Sequence, residues 1–225
     1  MDILKDEELV KVARNIYLNI DNAIGYPVNQ NSNIIGFYDW YTKTGLCDMM
    51  SNNVGDPFDP SSYFTISALS IEKKVIEMVA PHYGIPMDNL WGFVTNSCTD
   101  SNNHGIYFGA HKLINETGMK PIVYVSKEAH YSNRRLADLQ NLECRLIDYD
   151  EHGSMDVEDL RRKLDPSKPA LIVLAIGATF MGGIDDMLKV DEVIKEVKPI
   201  AVYRHVDAAL FGGYLAFPLI RPCYI

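Results

Sequence analysis

The chain has 225 residues, 47 % of them hydrophobic and 23 % charged, with a formal net charge of −9 and a pI near 5.1. That is enough for one large domain or two small ones with a real core. The acidic balance excludes a polyanion as main partner, because no basic field exists to release counterions from phosphates; nucleic acid is not expected.

The start, Met1 to Glu8, is charged and acidic and reads as neither a signal nor a transit peptide. Residues 6–20 place Leu9, Val12, Ala13, Ile16, Tyr17 and Ile20 at helical spacing. Gly25 and Pro27 end that helix. The segment to about residue 63 is expected to be irregular. It is long for a plain connection, so it reads as a functional surface, an arm packed on another subunit, or a simple loop. Residues 65–80 return to helical period, with Ile66, Leu69, Val75, Ile76 and Val79 on one face.

From Trp91 onward, strand and helix signals alternate. Trp91 to Thr95 reads as a short strand, followed by a polar turn, Asn96 to Asn103, and a helix from about Thr99 to Leu113. A polar helix N-terminus after a strand offers free N–H groups to an anion such as phosphate, although the same residue types also serve as ordinary caps. Ile122 to Ser126 is a strand leading into His130, and a helix carries Leu136, Leu139 and Leu142. Cys144 to Asp148 is a strand, and Asp156 caps a helix with Val157, Leu160 and Leu164. Ala170 to Ile176 is the most apolar strand, closing on Thr179. The apolar run around it, Pro169 to Thr179, is too short to span a bilayer. Asp185 and Asp186 lead into a helix with Leu188, Val190, Val193, Ile194 and Val197. Ile200 to Tyr203 reads as a buried strand, with Asp207 at its carboxyl end before two alanines and a Gly pair. Cys47, Cys98, Cys144 and Cys223 show no disulfide or zinc spacing, so free thiols in a reducing, cytoplasmic setting are expected, with no metal and no membrane contact.

This alternation predicts an α/β domain with a mostly parallel sheet, in which ligands bind beyond the carboxyl ends of the strands. The polar groups at those ends are the Ser97–Asn102 turn, His130, Thr179 and Asp207. A buried acid at a strand end can be a turn cap, or it can need a cationic partner. Phosphate donors, an imidazole and a buried acid together describe a pocket for a flat, phosphorylated, nitrogen-containing cofactor, and pyridoxal 5′-phosphate fits. An Asp beside the pyridine nitrogen keeps that nitrogen protonated, and the ring then accepts electrons from the substrate's Cα.

The chain resembles the amino-terminal part of the group II pyridoxal-phosphate-dependent decarboxylases, nearest to the bacterial histidine and plant serine decarboxylases. The matching stretches are Gly25-Tyr26-Pro27, Asn52 to Pro57, Trp91 to Asn96, Thr99 to Asn102, Ala129 to Ser132, Ile176 to Thr179, Gly183 to Asp186 and His205 to Ala209. The resemblance implies the large domain of the aspartate-aminotransferase type (fold type I), working as a dimer. It implies that Ser97, Cys98 and Thr99 hold the phosphate, that His130 stacks on the ring and touches substrate, and that Thr179 lies beside the cofactor. Asp207 would pair with the ring nitrogen, with Ala209 below the ring, and Tyr26, Asn53 and Asp56 would line the substrate side. The expected boundary separates an N-terminal helix and arm, 1–64, from an incomplete cofactor-binding domain, 65–225. The family's Schiff-base lysine lies in a Ser-x-His-Lys motif beyond the Asp-Ala-Ala strand, and no lysine follows Lys198 here. The expectation is therefore a truncated or split-gene decarboxylase of L-histidine, or of serine or another amino acid, completed by a homodimer or a complementing chain. The alternatives are an inactive fragment or pseudoenzyme, or lyase or transaminase chemistry on the same fold. The Ser97-Cys98 pair also replaces the family's usual glycine in the phosphate turn, which a Cβ would crowd.

Overall fold

A computed structural model describes residues 7–20, 34–50 and 52–215. The chain divides into two compact units, Met1–Asn53 with Thr65–Ser67 and Val54–Phe64 with Ala68–Ile225.

The first unit carries α1, Glu7–Asn19, and α2, Ile35–Lys43. Helix α1 follows the predicted period, and its apolar residues are all exposed. Helix α2 corrects the expectation of irregular structure before residue 63. Phe37 stacks on Tyr41 one turn later, with centroids 5.6 Å apart, and Lys43 pairs with Asp39 at 2.6 Å. Such spacing of four residues supports a helix that an aromatic- and Gly-rich composition conceals.

In the second unit, α3 spans Leu69–Val79 and α4 spans Cys98–Thr117. Then follow β1 (Ile122–Ser126), α5 (Tyr131–Leu139), β2 (Glu143–Ile147), α6 (Val157–Lys163), β3 (Ala170–Ala175), α7 (Met187–Val197), β4 (Val202–Asp207) and α8 (Gly212–Leu215). Local chemistry sets the helix starts. Ser97 caps α4 by accepting from the Asp100 N–H, Asp156 caps α6 and Asp186 caps α7. Gly118, at φ 71°, ends α4 four residues beyond the expected Leu113.

The four strands form a parallel sheet in the order β2-β1-β3-β4. Its faces follow the period-2 alternation of the strands. Val123, Val125, Leu171 and Val173 pack with Ile106, Leu113 and Leu136 of α4 and α5. Tyr124, Ile172 and Leu174 pack with Leu160, Val190 and Val193 of α6 and α7. The sheet therefore lies between two helical layers, the arrangement of a doubly covered α/β domain.

Four sequence expectations are corrected. Trp91–Thr95 is not a strand: it joins no ladder among the described residues, and the Val94 N–H donates to the Glu72 carboxylate at 2.7 Å. A side-chain acceptor there takes the place of a neighbouring strand. β4 is not a buried strand. It lies at the edge of the four-stranded sheet, so only Asp207 among its residues is buried. Of the apolar face expected on 65–80, only Leu69 is buried, because α3 belongs to neither core cluster. Leu139 and Leu188 are exposed, at the end of α5 and the start of α7, whereas Leu142 packs into the core from the turn after α5.

Candidate functional site

The register places Ala175 beside Asp207, so β3 and β4 end together. Beyond Ala175 the chain turns at Gly177, whose φ of +100° favours glycine and where a Cβ would meet Leu210 and Phe211. This turn carries Thr179 back to the end of β1, where its N–H donates to the Glu128 carbonyl at 3.4 Å.

Asp207 is only 8 % exposed. Its Oδ2 accepts from Asn102 Nδ2 of α4 at 2.8 Å and from Asn133 Nδ2 of α5 at 3.0 Å. Its Oδ1 has weaker contacts, the Ala209 N–H at 3.3 Å and the Cys98 thiol at 3.5 Å. Burial pushes this carboxyl up, but the donors from Asn133, Asn102, Ala209 and Cys98 outweigh it, so the acid stays below the ordinary range. Among the described residues no ion pair reaches it. The result is a buried, ionised carboxylate held by neutral donors. Removing one donor to such a charge costs about 1.5–3 kcal/mol.

The donors are themselves held. Asn102 Oδ1 accepts from His205 Nε2 at 2.8 Å, which fixes the amide so that Nδ2 faces Asp207. Burial pushes the His205 pKa down, against the pull of Asp207, and keeps the ring neutral. Asn102 Nδ2 also reaches Ser132 Oγ at 3.4 Å, and that hydroxyl lies 2.7 Å from His130 Nδ1. The Ser132 N–H also approaches Nδ1, at 3.4 Å. His130 Nδ1 therefore accepts, which leaves Nε2 facing away from Ser132. One hydrogen-bonded chain thus joins His205, Asn102, Asp207, Ser132 and His130.

Glycines set the distance between α4 and β4. A Cβ on Gly105 would meet the His205 ring, and one on Gly109 would meet the Tyr203 ring. Only with glycine at both positions does α4 lie close enough for Asn102 to reach Asp207.

His130 and Thr179 share the wall of a cavity of about 500 Å³ with Glu128, Arg134, Tyr131 and Phe180. Glu128 Oε2 is buried in that wall without a hydrogen-bond partner among the described residues. Asp207 and the Ser97–Thr99 turn are not part of its lining. At that turn the Ser97 hydroxyl accepts from the Asp100 N–H at 3.3 Å and acts as the cap, while Cys98 directs its sulfur to Asp207. The burial of the Cys98 thiol and the adjacent Asp207 push its pKa to about 12. Thr99 is exposed in the first turn of α4.

Asp56 is engaged elsewhere: it accepts from the Phe58 N–H at 2.8 Å and the Trp91 indole N–H at 3.0 Å. Asn53 belongs to the first unit, and Tyr26 lies outside the described residues. The sequence reading missed Asn133 and the roles of Asn102 and His205. The polar first turns of α4 and α5 were the available signal, but nothing local indicates that both amides face one carboxylate.

The model of the pyridoxal-dependent decarboxylase conserved domain matches residues 109–225. A histidine decarboxylase of Mesorhizobium japonicum is 32 % identical over 201 residues, 88 % of this chain and 51 % of that protein. Serine decarboxylase 1 of Oryza sativa subsp. japonica is 33 % identical over 210 residues, 91 % of this chain and 40 % of that protein. The crystal structure of L-methionine decarboxylase from Streptomyces sp.590 in its internal aldimine form aligns with a TM-score of 0.78 and 17 % identity, covering 96 % of this chain and 57 % of that one. The chain spans about half the length, or less, of the curated relatives it matches.

Proposed function

From the premise that this chain belongs to the pyridoxal-dependent decarboxylase family, we propose that it forms part of an enzyme that decarboxylates L-histidine to histamine. The cofactor is pyridoxal phosphate. When bound, it supplies an electron sink for the pair left on Cα as carbon dioxide departs.

The residues present fit that group. The observation that carries the reading is Asp207, a buried carboxylate with neutral donors on Oδ2 and only weak partners on Oδ1. A cationic ring N–H would be a stronger partner for that oxygen than either of these, and the ionised Asp207 would keep such a ring nitrogen protonated. His130 would stack on the ring, with Ser132 holding its Nδ1. Thr179 would lie at the ring's side and Ala209 beneath it. The N–H groups of Cys98 and Thr99 at the start of α4 would hold the phosphate, beside the Ser97 cap.

One feature favours histidine over serine: the Glu128 oxygen, without a hydrogen-bond partner among the described residues, suits an imidazole N–H. The serine decarboxylase relatives, equally similar, keep serine as the second reading. The homodimer, the boundary at residue 64, the cytoplasmic setting and substrate contacts from Tyr26, Asn53 and Asp56 belong to the same proposal.

The test is amine release by the full-length protein supplied with pyridoxal phosphate and each amino acid in turn. Histamine formed at least tenfold faster than any other amine, and abolished by Asp207→Asn, is the expected result. Ethanolamine as main product would transfer the reading to serine. No amine from any amino acid would overturn it.

A further inference from the structure

Asn133 buries an amide that satisfies only half of itself. Its side chain is 0 % exposed, Nδ2 donates to Asp207, and Oδ1 has no hydrogen-bond partner among the described residues. A leucine would fill nearly the same volume without burying an orphan carbonyl. Packing alone therefore does not account for an amide here. Asn102 differs, because both of its ends are occupied, by His205 and by Asp207 with Ser132. The one polar contact of the Asn133 side chain among the described residues is Asp207 Oδ2.

The carboxylate needs that contact. With Asn102 alone, Oδ2 would keep one strong donor, and the acid would be free to turn or to take up a proton in its buried site. With both amides, Oδ2 is fixed, and Oδ1, held only by its weaker contacts with Ala209 and Cys98, is left as the acceptor for a further donor. Asn133 also follows Ser132 directly, so the first turn of α5 orients both His130 and Asp207.

We infer that Asn133 is a positioning residue for the cofactor, one that clamps Asp207 Oδ2 and so presents Oδ1 to the ring nitrogen. This rests on the reading that Asp207 meets that nitrogen.

The test compares two ligands on the full-length protein and on Asn133→Leu. One is pyridoxal phosphate; the other is its carbocyclic analogue, in which C–H replaces the ring nitrogen while aldehyde, hydroxyl and phosphate remain. Dissociation constants are read by equilibrium dialysis, so no turnover is required. The wild-type protein is expected to prefer pyridoxal phosphate. Asn133→Leu is expected to weaken pyridoxal phosphate at least tenfold and the analogue less than threefold. Equal weakening of both ligands, or a retained preference, would overturn the inference and leave the Asp207 reading standing. Absence of any preference in the wild type would overturn both. Circular dichroism establishes that the variant is folded; should it not be, Asn133→Ser carries the same comparison, since it removes the amide without adding apolar bulk.

Discussion

The ring of His205 on β4 lies where a Cβ on Gly105 of α4 would be. This contact brings the helix close enough for Asn102, one turn earlier, to join His205 to Asp207. Gly105→Ala is expected to push α4 outward and destabilise the protein by about 1–3 kcal/mol, as overpacking of a tight interface does. Cofactor affinity should fall with it. Urea unfolding and equilibrium dialysis on the same preparation check this; an unchanged midpoint would mean that the helix accommodates the methyl group without moving.

Cys98 and Cys47 are both exposed residues, yet only Cys98 has its sulfur beside a carboxylate. With its pKa pushed to about 12, the Cys98 thiol is almost wholly protonated at pH 8. Because the thiolate is the nucleophile, iodoacetamide should label Cys98 in the folded protein about a hundredfold more slowly than in the urea-unfolded chain. Asp207→Asn removes the adjacent charge and should speed labelling of Cys98 alone. Peptide mapping by mass spectrometry measures both rates, and equal rates would contradict the Cys98–Asp207 contact.

Asp159 gives a pH signature away from the site. Burial raises its pKa, but the Lys163 ammonium, the Asp148 N–H and Arg162 outweigh that and bring it to about 2 from an ordinary 3.8. A group with a lowered folded pKa stabilises the fold above its unfolded pKa, and loses that contribution as pH falls through the folded value. Asp159→Asn should therefore cost about 1–3 kcal/mol at pH 7. The gap from wild type should narrow below pH 3.8 and close near pH 2. Urea midpoints across that range report it; a gap independent of pH would show that the charge contributes nothing.

Glu128 tests substrate choice. Its Oε2, without a partner among the described residues, shares the cavity wall with His130. If it receives the imidazole N–H, Glu128→Gln should raise KM for histidine about tenfold with kcat little changed, the pattern of lost ground-state binding. Steady-state kinetics decide this, and an unchanged KM would remove Glu128 from the substrate's surroundings.

Much of the fold was legible locally. β1 runs over the very residues that the apolar run marks, and Asp156 and Asp186 cap the helices they precede. These signals depend on neighbours within four residues. Trp91–Thr95 misled because its composition suits a strand, while the ladder that makes a strand must come from elsewhere in the chain. The Asp185–Asp186 pair was legible only in part. Asp186 is the cap, but Asp185 is buried and accepts from the Met155 and Ala175 N–H groups at 2.7 Å, tying the loop before α6 to the end of β3.

The sequence by itself determined the alternation of strands and helices, the helix caps and the acid at the end of the last strand, because periodicity and capping are local. Tertiary structure alone decided the strand order, the edge position of β4 and the partners of Asp207. Asn133 and Asn102 lie 74 and 105 residues from that acid in the chain. A buried carboxylate must find its donors wherever folding delivers them, and no local pattern encodes which distant amide will arrive.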